Sequence, residues 1–264
     1  MSREILSRPA PPPDRTAAYG PHPDQVVDLR LPPGPGPART LVVLVHGGFW
    51  RAAYDRTHTG PLADALARAG YAVAVPEYRR VGSPGGGWPG TFDDVSILFE
   101  ALGTICAAHG VRPQRTVLVG HSAGGHLALW AAARHRLPPD SPWHSQWRPD
   151  AVVALAGCSS LDLADAWELD GNATADLLGG RAGEVPERYA LADPAALLPL
   201  AVPATLLHGT ADQHVPFAMS RAYATRAEQL GDPVALVELE GLEHFALIDP
   251  LSSAWPHLLA AIGS

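Results

Sequence analysis

Short, unbroken apolar runs recur along this chain, separated by stretches in which apolar residues return every three or four positions. The runs cover residues 41–45 (Leu-Val-Val-Leu-Val), 71–75, 116–119, 151–155, 202–208 and 234–239. They are strand-length, rich in β-branched residues and barely alternate with polar ones. That pattern predicts strands buried on both faces, as in a parallel sheet. Residues 61–69, 92–108, 125–131, 217–230 and 250–262 carry the helical spacing, and Gly70 and Gly110 are stop signals. Strand and helix alternate, which predicts an α/β fold with a mostly parallel, doubly wound sheet over residues 25–264.

Other segments interrupt this rhythm. Residues 1–24 are Pro-rich and expected to be irregular, residues 25–31 open the sheet, and 32–37 form a turn. Residues 82–90 (Gly-Ser-Pro-Gly-Gly-Gly-Trp-Pro-Gly) predict a flexible loop near the mouth of a site. Residues 137–150, rich in Pro and Trp, predict a surface excursion. Residues 159–199 break the alternation and predict a small helical cap inserted between strands, of the kind that excludes water and shapes a pocket. An excursion remote from any substrate is the competing interpretation.

Candidate chemistry centres on Gly120-His-Ser-Ala-Gly124, a G-x-S-x-G sequence between the 116–119 strand and the following helix. Strand, sharp turn and helix are the context that exposes a nucleophilic serine, here Ser122. A tetrahedral oxyanion needs preorganised N–H donors. Ala123 supplies one, and Gly47, Gly48 and Phe49, just past the 41–45 strand, are placed to shape and supply the rest. Asp212 and His244 each follow a later predicted strand, giving the order Ser, Asp, His along the chain. In a parallel sheet their loops share one edge with Ser122. Asp212 then orients His244, and His244 moves the proton. Other histidines, His46, His121, His126 and His208, sit before the acid or inside motifs and are expected to shape the site. Asp249 is expected to cap the last helix, and Glu243 is too close in sequence to His244 to orient it. Trp50, Tyr54 and Trp88 are candidates to stack an aryl ring of the substrate.

Composition narrows the partners. The net charge is -8 and no basic stripe is present, which argues against nucleic acid. All 19 basic residues are arginines, which removes lysine Schiff bases and a Walker-type phosphate loop. Cys106 and Cys158 form neither a disulfide framework nor a metal-spaced pair, and read as buried thiols. No signal-peptide core, membrane-length run or zinc motif is evident, so a cytoplasmic protein without cofactor or metal is expected. Its expected partner is one small acylated molecule, with room for a homodimer and none for a membrane.

The residues now named carry a family resemblance. From about Asp24 onward the chain resembles an α/β-hydrolase with a small helical cap. Within that superfamily His46-Gly-Gly-Phe-Trp50 is similar to the HGG-x-W motif of kynurenine formamidases (arylformamidases), and close to the HGGG of hormone-sensitive-lipase-like esterases. Tyr19-Gly-Pro21, Asp28-Leu-Arg-Leu-Pro32 and Gly120-His-Ser-Ala-Gly-Gly-His126 also look like the first group. The resemblance implies a serine hydrolase that forms an acyl-enzyme, with an N-formyl arylamine such as N-formylkynurenine as substrate. Its alternatives are a carboxylesterase for short acyl esters and, from another class, a non-catalytic binding protein on the same fold.

Overall fold

The computed structural model describes residues 2–34 and 38–263. Residues 35–37, part of the turn expected over 32–37, lie outside the described residues. Eight strands form one sheet: β1 (Arg15–Ala18), β2 (Val26–Arg30), β3 (Thr40–Val45), β4 (Ala72–Pro76), β5 (Arg115–His121), β6 (Ala151–Leu155), β7 (Ala204–Gly209) and β8 (Val234–Leu239). Their order is β1-β2-β4-β3-β5-β6-β7-β8. Pairing is parallel from β4 to β8, whereas β1, β2 and β4 pair antiparallel. This order and pairing are those of the α/β-hydrolase fold.

Why the central runs carry no polar alternation is clear from β3. Leu41, Val43 and Val45 enter the core on one face, while Val42 and Leu44 enter the core on the other. Successive side chains of a strand point to opposite faces, so a strand covered on both sides must be apolar at every position. Helices α1 (Gly60–Arg68) and α8 (Trp255–Gly263) cover the Val42 face. Helices α2 (Gly90–Ala108), α3 (Ala123–Ala133) and α7 (Phe217–Gln229) cover the Val43 face. Among the described residues no helix is long and apolar enough to cross a membrane.

Two segments turn out more ordered than their composition predicts, and one expected cap is not one. Residues 1–24 hold the 3-10 helix Ser2–Ser7 and strand β1, which pairs with β2 through Arg15 to Ala18. Ile5 is fully buried, and Arg8 clamps both Asp249 oxygens at 2.6 and 2.9 Å. Proline density argued for irregular backbone, but one buried isoleucine and one bidentate ion pair help to dock the arm. Residues 137–150 are not a surface excursion throughout: Leu137 and Trp143 are buried, and Trp143 packs on Trp88, Phe92 and Trp130. Asp249 does not cap α8. It ends the 3-10 helix His244–Ile248, accepts the Leu251 N–H at 2.9 Å and holds Arg8.

Residues 159–199 contain three short helices, α4 (Leu161–Ala166), α5 (Leu169–Leu178) and α6 (Pro186–Ala192). Leu161, Leu177, Leu178 and Tyr189 from these helices join the Val43-side core. Glu168, Asp170, Gly171 and Asn172 all take positive φ between 48° and 71°. Such a left-handed turn costs roughly 1–2 kcal/mol per non-glycine residue. Here Arg51 grips it, donating to the Asp170 carbonyl at 2.7 Å and to Asp176 at 3.1 Å.

Candidate active site

The chain leaves β3 in one direction, forms β4, and returns across β3 to form β5. Between β3 and β5 the order reverses, and the loops beyond their ends diverge into a crevice. Ser122 stands just past β5, and the Gly47–Gly48–Phe49 turn just past β3. A sequence motif and a topological feature thus coincide.

Ser122 sits at φ 56°, ψ -120°, a region that side-chain-bearing residues avoid. Several bonds hold it there. Its N–H donates to Leu155 O at 2.9 Å, and its carbonyl accepts the N–H groups of Gly125 at 2.9 Å and Cys158 at 3.1 Å. The flanking glycines are steric necessities: a Cβ on Gly120 would lie 2.1 Å from Gly124 O, and one on Gly124 2.1 Å from Val45 O. Neither distance is physically possible, so the elbow closes only with glycine at both places.

Opposite, Gly48, Phe49 and Trp50 all have positive φ, at 110°, 47° and 55°. Among the described residues no backbone carbonyl accepts the N–H of Gly48, Phe49 or Ala123. Gly48 and Phe49 line the same cavity as Ser122. Ala123 opens α3, where N–H groups are unpaired and the helix dipole favours negative charge. Three free donors therefore flank one serine.

Asp212 and His244 meet. The His244 Nδ1–H donates to Asp212 Oδ2 at 2.7 Å, and both residues are more than nine-tenths buried. The other Asp212 oxygen accepts the N–H groups of His214 at 2.8 Å and Val215 at 2.9 Å. His208, expected only to shape the site, touches the same carboxylate at 3.3 Å. Burial pushes the Asp212 carboxyl up, but the bonds from His208, His244 and Val215 outweigh it and hold the group well below the usual carboxylate range. It stays ionised and keeps His244 with its proton on Nδ1. Among the described residues no hydrogen bond joins the Ser122 hydroxyl to His244. The two face the same cavity, and such contacts commonly tighten only when substrate binds.

That cavity is about 130 Å³. Leu6, Phe49, Tyr54 and Phe245 give it apolar walls, while Arg3, His58, Asp170 and His214 carry its polar rim. Of the three aromatic candidates, only Tyr54 lines it. Trp50 is fully buried and donates its indole N–H to His126 Nδ1 at 3.1 Å; it is core, not pocket. The left-handed turn aims Trp50 inward, a reversal that spacing alone does not reveal. Trp88 stacks edge-on against Phe92 and Trp143, and its N–H bonds Leu177 O, so the 82–90 loop packs on α5 away from the mouth. A larger hollow of about 340 Å³ lies under the proline arm, but it holds none of Ser122, Asp212 and His244.

The remaining histidines divide by contact. Burial pushes His126 down to about 4, and its Nε2–H donates to Ala192 O at 3.0 Å. Burial likewise pushes His121 well below the ordinary imidazole value, and its Nε2–H holds the His244 carbonyl at 3.2 Å. His58, pushed down to about 4 by burial and by His46, lies in the cavity wall. Among the described residues no cluster of His, Cys, Asp and Glu is disposed to hold a metal ion. Sequence reasoning missed Arg3 and Leu6, because their segment was set aside as irregular. It missed Asp170, which the left-handed turn delivers. It also missed Phe245, although this residue adjoins His244.

Comparison with known proteins fits this geometry. The BD-FAE family model matches residues 27–226. "Probable isoprenylcysteine alpha-carbonyl methylesterase ICME" of Oryza sativa subsp. japonica is 30% identical over 95% of this chain and 61% of its own length. Esterase LipQ of Mycobacterium tuberculosis is 27% identical over 86% of this chain and 55% of its own. The chain thus spans little more than half the length of these curated relatives. Among solved structures, esterase B from Lactobacillus rhamnosis superposes with a TM-score of 0.81 at 18% identity, covering 99% of this chain and 89% of that one. At that identity the likeness establishes the fold alone.

Proposed function

This chain belongs to the BD-FAE family, and we propose on that premise that it hydrolyses short-chain carboxylic esters through an acyl-enzyme. One observation carries the reading: strained Ser122, His244 on its buried partner Asp212, and Gly48 and Phe49 with free N–H groups line a single small cavity, and the Ala123 N–H adjoins Ser122. Ser122 Oγ attacks the ester carbonyl while His244 takes its proton. The N–H groups of Gly48, Phe49 and Ala123 receive the oxyanion, and Gly47 shapes their loop. His244 returns the proton to the leaving alcohol, with Asp212 holding its orientation and tautomer. Water, deprotonated by His244, then attacks the acyl-enzyme and frees Ser122.

A cavity of about 130 Å³ walled by Phe49, Tyr54 and Phe245 favours a short acyl group. The relatives reported above are named as esterases, which supports ester over formamide. The formamidase expectation also loses Trp50 and Trp88 as stacking partners for an aryl ring. The decisive series is kcat/KM for aryl formate, acetate, butyrate and octanoate beside N-formylkynurenine. Acetate or butyrate should exceed octanoate by about 10-fold or more, since extra methylenes meet a filled pocket. A fluorophosphonate should label Ser122 alone. Octanoate matching butyrate counts against the pocket reading, and N-formylkynurenine outrunning every ester reinstates the formamidase. A folded protein that takes no label is a binding protein.

A further inference from the structure

His46 begins the glycine turn, yet nothing so far explains why a histidine is there. It is fully buried, and both of its ring nitrogens face oxygen. Nε2 lies 2.8 Å from Glu77 Oε1, and Nδ1 lies 2.8 Å from the carbonyl oxygen of Gly47. A carbonyl can only accept. Glu77 is also confined to accepting, because two guanidinium groups and two backbone N–H groups hold its carboxylate ionised. Oε1 takes the Tyr78 N–H at 3.1 Å and Arg80 Nη1 at 3.1 Å; Oε2 takes the Arg56 N–H at 3.0 Å. Both nitrogens of His46 must therefore donate, and a ring that donates twice is an imidazolium.

We infer that His46 is a positioning residue, held by Glu77 with both ring nitrogens donating, that strengthens the Gly48 N–H as an oxyanion donor. The link is covalent and local. The carbonyl of Gly47 and the N–H of Gly48 belong to one peptide unit. A cation bonded to that carbonyl draws electron density through the amide, so the N–H at the other end becomes a better donor. The same bond fixes the plane of the peptide, and hence the direction of the donor.

The surroundings fit a buried cation. The Tyr78 ring stacks on His46 with centroids 4.5 Å apart and planes 16° apart, and its hydroxyl bonds the His46 carbonyl at 2.9 Å. Aromatic faces attract cations. Glu77 sits below its ordinary carboxyl value: burial pushes it up, but His46, Arg80 and the Arg56 N–H together hold it down. His58, edge-on at 5.7 Å, is kept neutral by burial and by repulsion from His46. Arg80 and Arg56 complete the ring of charge around Glu77, and Arg80 in turn reaches Asp24 at 3.3 Å. A buried ion pair adds little stability by itself, and losing one partner is costly. Its value here is in the direction and strength of one N–H.

The catalytic half of this inference rests on the esterase reading; the charge state does not, so two experiments separate them. First, a nitrogen-15 spectrum of histidine-labelled wild-type protein at pH 7.5, with the His46 ring assigned through its correlations to its own backbone, should give two protonated ring nitrogens for His46. One protonated and one bare nitrogen overturns the inference whatever the enzyme's activity, and this result stands even where a variant fails to fold. Second, Glu77→Gln allows a neutral ring that still donates from Nδ1 to Gly47 while Nε2 accepts the new amide. The bond to Gly47 survives while the His46 charge goes; Tyr78, Arg80 and Arg56 also lose the anion they faced, so the Tm of the variant is read beside its kcat. On aryl butyrate kcat should fall about 10- to 100-fold, part of the 10²–10³ that a whole oxyanion donor contributes, with KM within about twofold. An unchanged kcat in the folded variant overturns the polarising role. If the wild type hydrolyses no ester, the esterase reading fails and the first experiment alone decides the charge.

Discussion

A hydroxyl becomes a useful nucleophile only when a base can reach it and an electrophilic cradle waits for the charge it creates. At the scale of single residues, Ser122, His244, Asp212 and the glycine turn are the candidates the chain offers for these parts. The proposed roles make a sharp prediction. Ser122→Ala and His244→Ala should each lower kcat on an active ester by about 10³-fold or more, and the double variant should lose no more than either single one. Asp212→Asn should cost about 10⁴-fold, because an amide permits the wrong imidazole tautomer. Additive losses in the double variant would show that the two side chains do not act as a unit. These three residues could be found because each follows a strand, and strand ends share an edge. Glu77 also follows a strand, β4, yet its partner His46 lies 31 positions earlier, and no local rule pairs them. Trp50 shows the opposite failure. Adjacency to the glycine turn promised a pocket residue, but a backbone φ of 55° carries the indole into the core.

At the scale of elements, the apolar runs predicted strands well, because a strand buried on both faces leaves an unbroken signature. Helix α3 is likewise buried along its whole length, which its Ala- and Leu-rich composition announced. The short helices of residues 159–199 were less readable, since their packing depends on contacts between them. Asp193 is one such contact. It ends α6, accepts the Ala195 N–H at 2.9 Å, and reaches the start of α4 through Ser160 Oγ and the Asp162 N–H, both at 3.3 Å. Burial pushes its carboxyl up to about 6, against the pull of those N–H groups. In the unfolded chain the same group ionises near 4. Below that pH both states hold the proton. As pH climbs from about 4 to about 6 the unfolded chain releases it first, so stability falls, by on the order of 3 kcal/mol in all. Asp193→Asn should remove that slope, and urea unfolding at pH 4 and pH 7 measures it. A difference between variant and wild type that is equal at both pH values contradicts the buried-acid account.

At the scale of the whole molecule, the N-terminal arm ties the ends of the chain to the base. The 3-10 helix Ser2–Ser7 packs against the 3-10 helix His244–Ile248 that carries His244. Arg3 lies over the Phe245 ring at 5.7 Å, and Leu6 closes one cavity wall. Removing residues 2–8 should therefore lower kcat/KM on a short ester by up to about 10²-fold, the cost of a small misplacement at a reacting centre. It should also lower Tm, since buried Ile5 and the Arg8–Asp249 pair are lost. A lower Tm with unaltered kinetics would make the arm structural only.

What the chain determined by itself is whatever acts over a few residues. The two-residue period of strands, the 3.6-residue period of helices, and the steric demand for glycine at 120 and 124 are all local, and together they specify the sheet, the elbow and the order of Ser122, Asp212 and His244. Tertiary structure decided what depends on partners far along the chain. Arg8 finds Asp249 across 241 positions, and Asp212 finds His244 across 32. Which tryptophan is core, which wall the arm supplies, and which nitrogens of His46 carry protons all follow from such meetings. Each is set by burial and by the donors and acceptors that packing brings together, and these exist only once the chain has closed on itself.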